Sequence, residues 1–407
     1  MKPPTPTIAR ASSHFSQRGR VSAPYICQAC LSLRSAAAAR RRYSTSPSPP
    51  PLTSPPASGY SALPSRRLIS LSGPDAAHFL QGVVTPNITP QASRARATTA
   101  ASSPQPRGFY GAFLNAHGRL IYDVFIYADL TTTTAATAPP GERWFLEVDA
   151  EQVEKLYKHI RKYKLRSKFE LRLIPADEMA VWSVWGDARD AASSLHLPAS
   201  VVGCEDLRAP GMGVRVALPT GRGPEVDAEE SSETAYRIRR YLKGVPEGQR
   251  ELIQESALPQ ESNIDYMGGL DYRKGCYVGQ ELTIRTHHTG VVRKRVLPVM
   301  FYEKREPMPT SLIFKSVVGN VDAEVIPRGT SIGRVEKSGR SAGKLLAGIG
   351  NVGLGLCRLE IMTGLSNGGE AGRYKEGDEF KLEWQSESGS SQMAKVKAFV
   401  PPWHPNQ

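Results

Sequence analysis

The first 74 residues contain no aspartate or glutamate; the first acid is Asp75. The same stretch carries ten basic side chains: Lys2, Arg10, Arg18, Arg20, Arg34, Arg40, Arg41, Arg42, Arg66 and Arg67. The formal net charge of +13 is therefore concentrated at one end, since 42 basic residues face 39 acidic ones in the remainder. A body so near neutrality has no general attraction for a phosphate backbone, so no nucleic-acid partner is expected. Long apolar runs are missing too. None approaches the ~18–20 residues a membrane-spanning helix needs, so no membrane insertion is expected. Cysteine is scarce, with Cys27, Cys30, Cys204, Cys276 and Cys357 alone. Cys27 and Cys30 form a C-x-x-C, but no second pair stands at zinc spacing. The other three are too scattered to show a disulfide framework or a four-cysteine cluster site.

What the amino-terminal region does contain is arginine, serine and alanine, the composition of a mitochondrial transit peptide. A cationic segment free of acids is drawn inward by a membrane potential that is negative inside. Arg40-Arg41-Arg42-Tyr43-Ser44 resembles the processing sites of matrix precursors, so residues 1–43 are expected to be a transit peptide cut after Tyr43. Residues 44–58, rich in proline and serine, are expected to form a disordered leader.

An α+β body is expected over residues 59–290. Leu68–Leu71 is a strand candidate, followed by a helix over Ala76–Leu80 that Ser72 is placed to cap. Residues 88–107 and 131–141 are low-complexity insertions. Gly111–Leu114 and Arg119–Tyr127 alternate as a strand pair about the turn Asn115–Gly118, and Trp144–Val148, Phe169–Leu173 and Ala180–Trp185 are further strands. Val153, Leu156, Tyr157 and Ile160 repeat at helical spacing within residues 150–163. Lys155–Lys168 puts a basic face on that helix and the turn after it, expected as solvated surface, with an acidic partner or a polyglutamate tail as the alternative. Residues 219–234 are an acidic loop, and a helix follows over Tyr236–Leu242. Trp144, Trp182 and Trp185 are expected in the core. From residue 291 to 400, short strand-like runs at 291–302, 331–335, 345–349, 355–361, 379–384 and 393–399 alternate with glycine- and serine-rich turns, the texture of a small β-barrel.

Chemistry concentrates in Lys274-Gly275-Cys276-Tyr277-Val278-Gly279-Gln280-Glu281. Two glycines around a cysteine let the backbone turn tightly. Lys274 and the amides of a helix starting near Gly279 would favour the thiolate. A buried, inert cysteine is the alternative that the residues alone leave open. The helix is expected over 280–287 with Gly290 at its carboxyl-terminal cap. His287 and His288 are expected as solvent-facing residues suited to the dipole at that end, with joining a site shared at Cys276 as the alternative.

Lys274–Glu281 matches in full the K-G-C-Y-x-G-Q-E signature of YgfZ-like proteins. Leu71–Thr85, Gly111–Tyr127, Leu165–Lys168, Pro259–Asn263 and Arg285–Gly290 are similar to further blocks of the YgfZ/GcvT family, in family order. The resemblance implies a fold like the T-protein of the glycine cleavage system, a folate-binding α+β body with a carboxyl-terminal β-barrel. Joined to a transit peptide, it implies an iron–sulfur cluster assembly factor of the mitochondrial matrix. Such a factor works late in 4Fe–4S protein maturation, with A-type carrier proteins and with aconitase-type and lipoyl synthase-type clients. Cys276 would be the functional thiol and Arg285 part of its surroundings. Gly275 and Gly279 would shape the loop, and Gln280 and Glu281 would orient it, with Tyr277 completing the signature. One cysteine cannot supply the roughly four ligands of a cluster, so Cys276 is expected at an interface that a carrier completes.

Two rival functions follow from the same residues. A tetrahydrofolate-dependent aminomethyl transferase would use the run after Gly118, with Arg119 and Asp123 as folate-binding candidates. Where the T-protein carries an Asp-Asp pair, this chain has Tyr122-Asp123. A plain strand-end role for Asp123 is equally open. A thiol redox enzyme would need Cys204 or Cys357 as a resolving partner for Cys276.

Overall fold

The computed structural model describes residues 54–88, 108–129, 143–186, 201–317, 322–336, 340–365, 374–386 and 389–405. The expected transit peptide, the Cys27–Cys30 pair, nearly all of the 88–107 insertion and the 131–141 insertion lie outside them.

The strands and helices follow one another as β1 (Ser58–Ala62), β2 (Arg66–Ser72), α1 (Ala76–Val83), β3 (Gly108–Leu114), β4 (Leu120–Ala128) and β5 (Arg143–Asp149). Next come α2 (Val153–Tyr163), β6 (Glu170–Leu173), β7 (Met179–Gly186), β8 (Val202–Glu205), β9 (Val214–Pro219), β10 (Glu229–Glu230), α3 (Glu233–Lys243) and α4 (Gln280–Thr289). The last third holds β11 (Lys294–Tyr302), β12 (Ser331–Arg334), β13 (Gly343–Ile349), β14 (Val352–Arg358), α5 (Leu359–Met362), β15 (Phe380–Gln385) and β16 (Ser391–Ala398). One five-stranded sheet runs β10-β1-β7-β9-β8, a second runs β3-β4-β5-β2-β6, and β11-β14-β13-β12-β15-β16 closes into a barrel.

The second sheet is covered on both faces, which is why β4 is buried along nearly its whole length rather than on alternate residues. Val124 and Ile126 face a cluster with Phe79 and Leu80 of α1 and Leu156 and Ile160 of α2. Phe125 and Tyr127 point the other way, into a core shared with Val181 and Trp185 of the first sheet and Tyr236 of α3. The period of two along a strand sorts these residues between two cores. Helix α3 in turn presents Ile238 and Tyr241 to Val296, Leu346 and Leu354 of the barrel. Asn263 Nδ2 donates to Val296 O at 2.6 Å, and Val296 N donates to Glu261 O at 2.8 Å, so the 259–263 block bolts β11 to the body.

Three expectations are corrected. Helix α1 begins after Asp75, not under a Ser72 cap; the Asp75 carboxylate instead accepts from Lys168 N at 2.6 Å. The leader is anchored before residue 58, because Trp185 Nε1 donates to Pro56 O at 3.1 Å. The apolar run 355–361 is not one strand: β14 ends at Arg358 and α5 follows. Strands β1, β8, β9 and β10 were not expected, and Ser232, placed in the acidic loop, caps α3 by accepting from Ala235 N at 3.2 Å.

Candidate functional site

Three separate segments build the loop that carries Cys276. The first is the end of α1 and the residues after it. Lys274 Nζ donates to Val84 O at 2.6 Å and to Pro86 O at 3.0 Å, while Val278 N donates to Gly82 O at 3.1 Å. Thr85 Oγ1 donates to Gly269 O at 2.6 Å and accepts from Ala112 N at 2.9 Å, tying the same segment to β3. The second is the β3–β4 turn. Gly279 has φ +80 and lies so close to it that a Cβ there would collide with Asn115 O and sit 2.8 Å from Leu114 Cβ. Gly118, at φ +73, meets Leu282 and Gly279 O from the other side. The third is the 259–263 block, whose Gln260 Nε2 donates to Thr283 O of α4 at 2.9 Å. Cys276 is exposed on the loop these contacts hold.

The roles expected within the signature divide. Lys274 is buried, and burial brings its ammonium down to about 8. Both its hydrogen bonds go to backbone carbonyls, so it pins the loop instead of serving the thiol. Gly279 is required by its backbone, but Gly275 is not: a Cβ there meets nothing within 4 Å. Gln280 orients the loop through Oε1, which accepts from Tyr277 N at 3.1 Å, and Tyr277 Oη lies 3.0 Å from Thr283 Oγ1. Glu281 and Arg285 are exposed. Helix α4 ends at Gly290, as expected, but with extended and not left-handed backbone. His287 is exposed yet not free in solvent, for it stacks on Tyr272 with ring centroids 3.7 Å apart and planes 8° from parallel. His288 lies 5.0 Å from His287. Among the described residues, no three His, Cys, Asp or Glu side chains are grouped to hold a metal ion.

Asp123 belongs to other chemistry. It lies in the middle of β4, not at a strand end, and is fully buried. Its Oδ2 stands 3.4 Å from Arg66 Nη1 and its Oδ1 accepts from Gly248 N at 3.1 Å. Arg66 Nε also donates to Glu147 Oε1 at 2.8 Å, and Tyr127 Oη donates to Oε2 of the same carboxylate. Glu147 leads to Arg215 at 3.5 Å, and Arg215 Nη2 donates to Glu247 Oε2 at 2.6 Å. Arg208 joins Glu247 at 2.7 Å and Asp206 at 2.7 Å. Burial pushes the Asp123 carboxyl up, against the pull of Arg66. Burial would do the same to Glu247, but Arg215, Arg208 and Arg240 outweigh it and hold that carboxyl well below the usual range. Arg119 is elsewhere, its Nη1 donating to Ser256 O at 2.8 Å beside the β3–β4 turn. Arg119 and Asp123 therefore do not fit a shared folate site, since the carboxylate is sealed and already partnered.

Comparison with known proteins decides the family. Residues 293–406 match the family described as the CAF17 C-terminal beta-barrel domain. A protein of Chaetomium globosum named "Iron-sulfur cluster assembly factor IBA57 homolog, mitochondrial" is 44% identical, over 98% of this chain and 97% of its own length. Its namesakes in Pyricularia oryzae and Neurospora crassa are 50% and 42% identical, over 85% and 99% of this chain and 84% and 93% of theirs. The chain belongs to the IBA57 family of mitochondrial iron–sulfur cluster assembly factors. Among solved structures, the glycine cleavage system aminomethyltransferase T of Bartonella henselae superposes with a TM-score of 0.56 at 13% identity, covering 87% of this chain and 88% of that one. That likeness establishes the fold the resemblance implied.

For an IBA57-family chain, the placement of the remaining cysteines is informative. Cys204 is buried in the body and Cys357 in the barrel; both are free, and burial pushes the Cys357 thiol up to about 12. Neither is open to resolve an exposed Cys276, which removes the support for a thiol redox enzyme. Sequence reasoning missed Arg66, Glu147, Arg208, Arg215 and Glu247. The available signal was a charge at an inward position of an apolar strand, as in Val214-Arg215-Val216 and Leu146-Glu147-Val148.

Proposed function

We propose that the protein acts in the mitochondrial matrix, late in the maturation of 4Fe–4S proteins. Cys276 serves there as a single thiolate offered to a cluster held by an A-type carrier protein. The observation that carries this is one exposed, free cysteine on a loop immobilised by three distant segments, in a chain of the IBA57 family. A rigid donor loses little freedom when it enters a coordination shell shared between two proteins. The cluster is cargo in this account: about four ligands are needed, and the carrier supplies those that Cys276 does not. Aconitase-type and lipoyl synthase-type enzymes are the clients. Aminomethyl transfer on tetrahydrofolate gains no support from Asp123, whose oxygens are bound within the protein.

Mixing the purified protein with an A-type carrier loaded with a 2Fe–2S cluster tests the reading. The account expects a co-eluting complex whose visible circular dichroism differs from that of the carrier alone. The Cys276→Ser variant should leave the carrier's spectrum unaltered. An identical spectral change with both proteins overturns the role of the thiol.

A further inference from the structure

The end of α2 and the turn after it carry a positive charge that takes no part in holding the Cys276 loop. Lys155, Lys158, Arg161 and Lys162 on the helix are joined by Lys164, Arg166 and Lys168 in the turn, with only Glu154 and Glu170 at the margins. None of the seven cations forms an ion pair within the described residues, and all are exposed except the half-buried Lys164. At the centre stands Leu165, 86% exposed, flanked by Tyr163 at 49%. Leu165 has φ +45, a left-handed conformation that a leucine adopts only under strain. The turn is nonetheless firmly built. Lys164 N donates to Ile160 O at 2.8 Å, Ser167 N to Lys164 O at 2.9 Å and Lys168 N to the Asp75 carboxylate at 2.6 Å. Beneath it, Val153, Leu156 and Ile160 are sunk in the core. The chain thus holds an apolar side chain outward, against its backbone preference, in a stretch whose cations form no ion pair within the described residues, though Lys162 and Lys164 lie over the rings of Tyr163 and Phe169.

We propose that this face docks on an anionic lipid surface. Alternation of cations with an exposed apolar tip is the pattern of an interfacial anchor, in which the apolar residue enters the headgroup boundary and the cations meet lipid phosphates. Five of the seven cations are lysines. Lysine is a flexible point charge that needs no fixed partner geometry, which suits a fluid sheet of phosphates. A projecting tip also needs no complementary pocket in a lipid surface. The contact is peripheral, since no helix among the described residues is long and apolar enough to cross a membrane.

Vesicle sedimentation with the full chain tests the proposal, comparing phosphatidylcholine alone with phosphatidylcholine containing cardiolipin. Binding should be at least about tenfold tighter to the cardiolipin vesicles and should weaken as salt is raised. The triple variant Lys158→Glu, Lys162→Glu, Arg166→Glu should lose at least about tenfold of that binding. These side chains are exposed, and an unchanged melting profile would verify that the variant folds. A local reporter guards against the cations of residues 1–74: Leu165→Trp should shift its added fluorescence to the blue with cardiolipin vesicles only. Vesicle binding without that shift assigns the contact to the amino-terminal cations and overturns the proposal. So does failure to bind cardiolipin vesicles while poly-glutamate is bound, which would make an acidic protein the partner.

Discussion

Gly279 and Gly275 stand on either side of the signature loop, and the sequence treats them alike. The structure separates them, because only Gly279 combines a positive φ with a backbone packed against the β3–β4 turn. Gly279→Ala is therefore expected to lower stability by about 2–3 kcal/mol, with urea unfolding as the measurement, while Gly275→Ala changes it by less than about 0.5 kcal/mol. Equal effects would contradict the packing described. At this scale the sequence was legible where a residue's chemistry is local, as with Gln280, which orients the loop by bonding back to Tyr277, whereas the residues alone left a buried Cys276 as open as the exposed one the structure shows. It was not legible where the partner lies far along the chain. Lys274 looks like a neighbour for the thiol in the sequence, yet its partners are Val84 and Pro86, almost two hundred residues away. Asp123 likewise owes its burial to Arg66 and Gly248, which no local pattern places beside it.

Helices α2 and α4 were readable from spacing and caps, as was most of the barrel from its rhythm of short strands and turns. The short strands β8 and β10 escaped because four and two residues give no period to detect, and β9 because Arg215 interrupts its apolar run. The carboxyl-terminal segment beyond β16 was also missed. Trp403 Nε1 donates to Lys243 O at 2.8 Å, and His404 is buried beside Trp403, with ring centroids 4.4 Å apart, and Tyr266 at 5.3 Å. Burial, assisted by Arg295, brings the His404 imidazole down to about 4. With the folded value below the unfolded one of about 6.5, the unfolded chain binds the extra proton between them. Stability is therefore lost as pH falls from about 6.5 towards 4. Between pH 7 and 5 the expected loss from this group is roughly 1–2 kcal/mol. His404→Phe should remove that part of the pH dependence in urea titrations, and an unchanged slope would show that the tail does not dock as described.

At the largest scale the described residues form two sheets, a barrel and the helices between them, tied together by arginines and carboxylates from β2, β4, β5, β9 and α3 and from the segments beside them. Arg215→Met would leave Glu147 and Glu247 buried with one cation fewer, at an expected cost of about 3–5 kcal/mol in global stability. A loss below about 1 kcal/mol in equilibrium unfolding would show that the network contributes little. That frame places the three segments that hold the signature loop, so the thiol's position is a property of the fold as a whole. The most direct test of the account is to replace Cys276 with alanine in cells lacking the native protein, then assay aconitase activity and protein lipoylation beside a 2Fe–2S enzyme. The account predicts that the first two fall severalfold while the third is retained. Full retention of all three, with the variant present at normal abundance, would contradict a cysteine-dependent role in 4Fe–4S maturation.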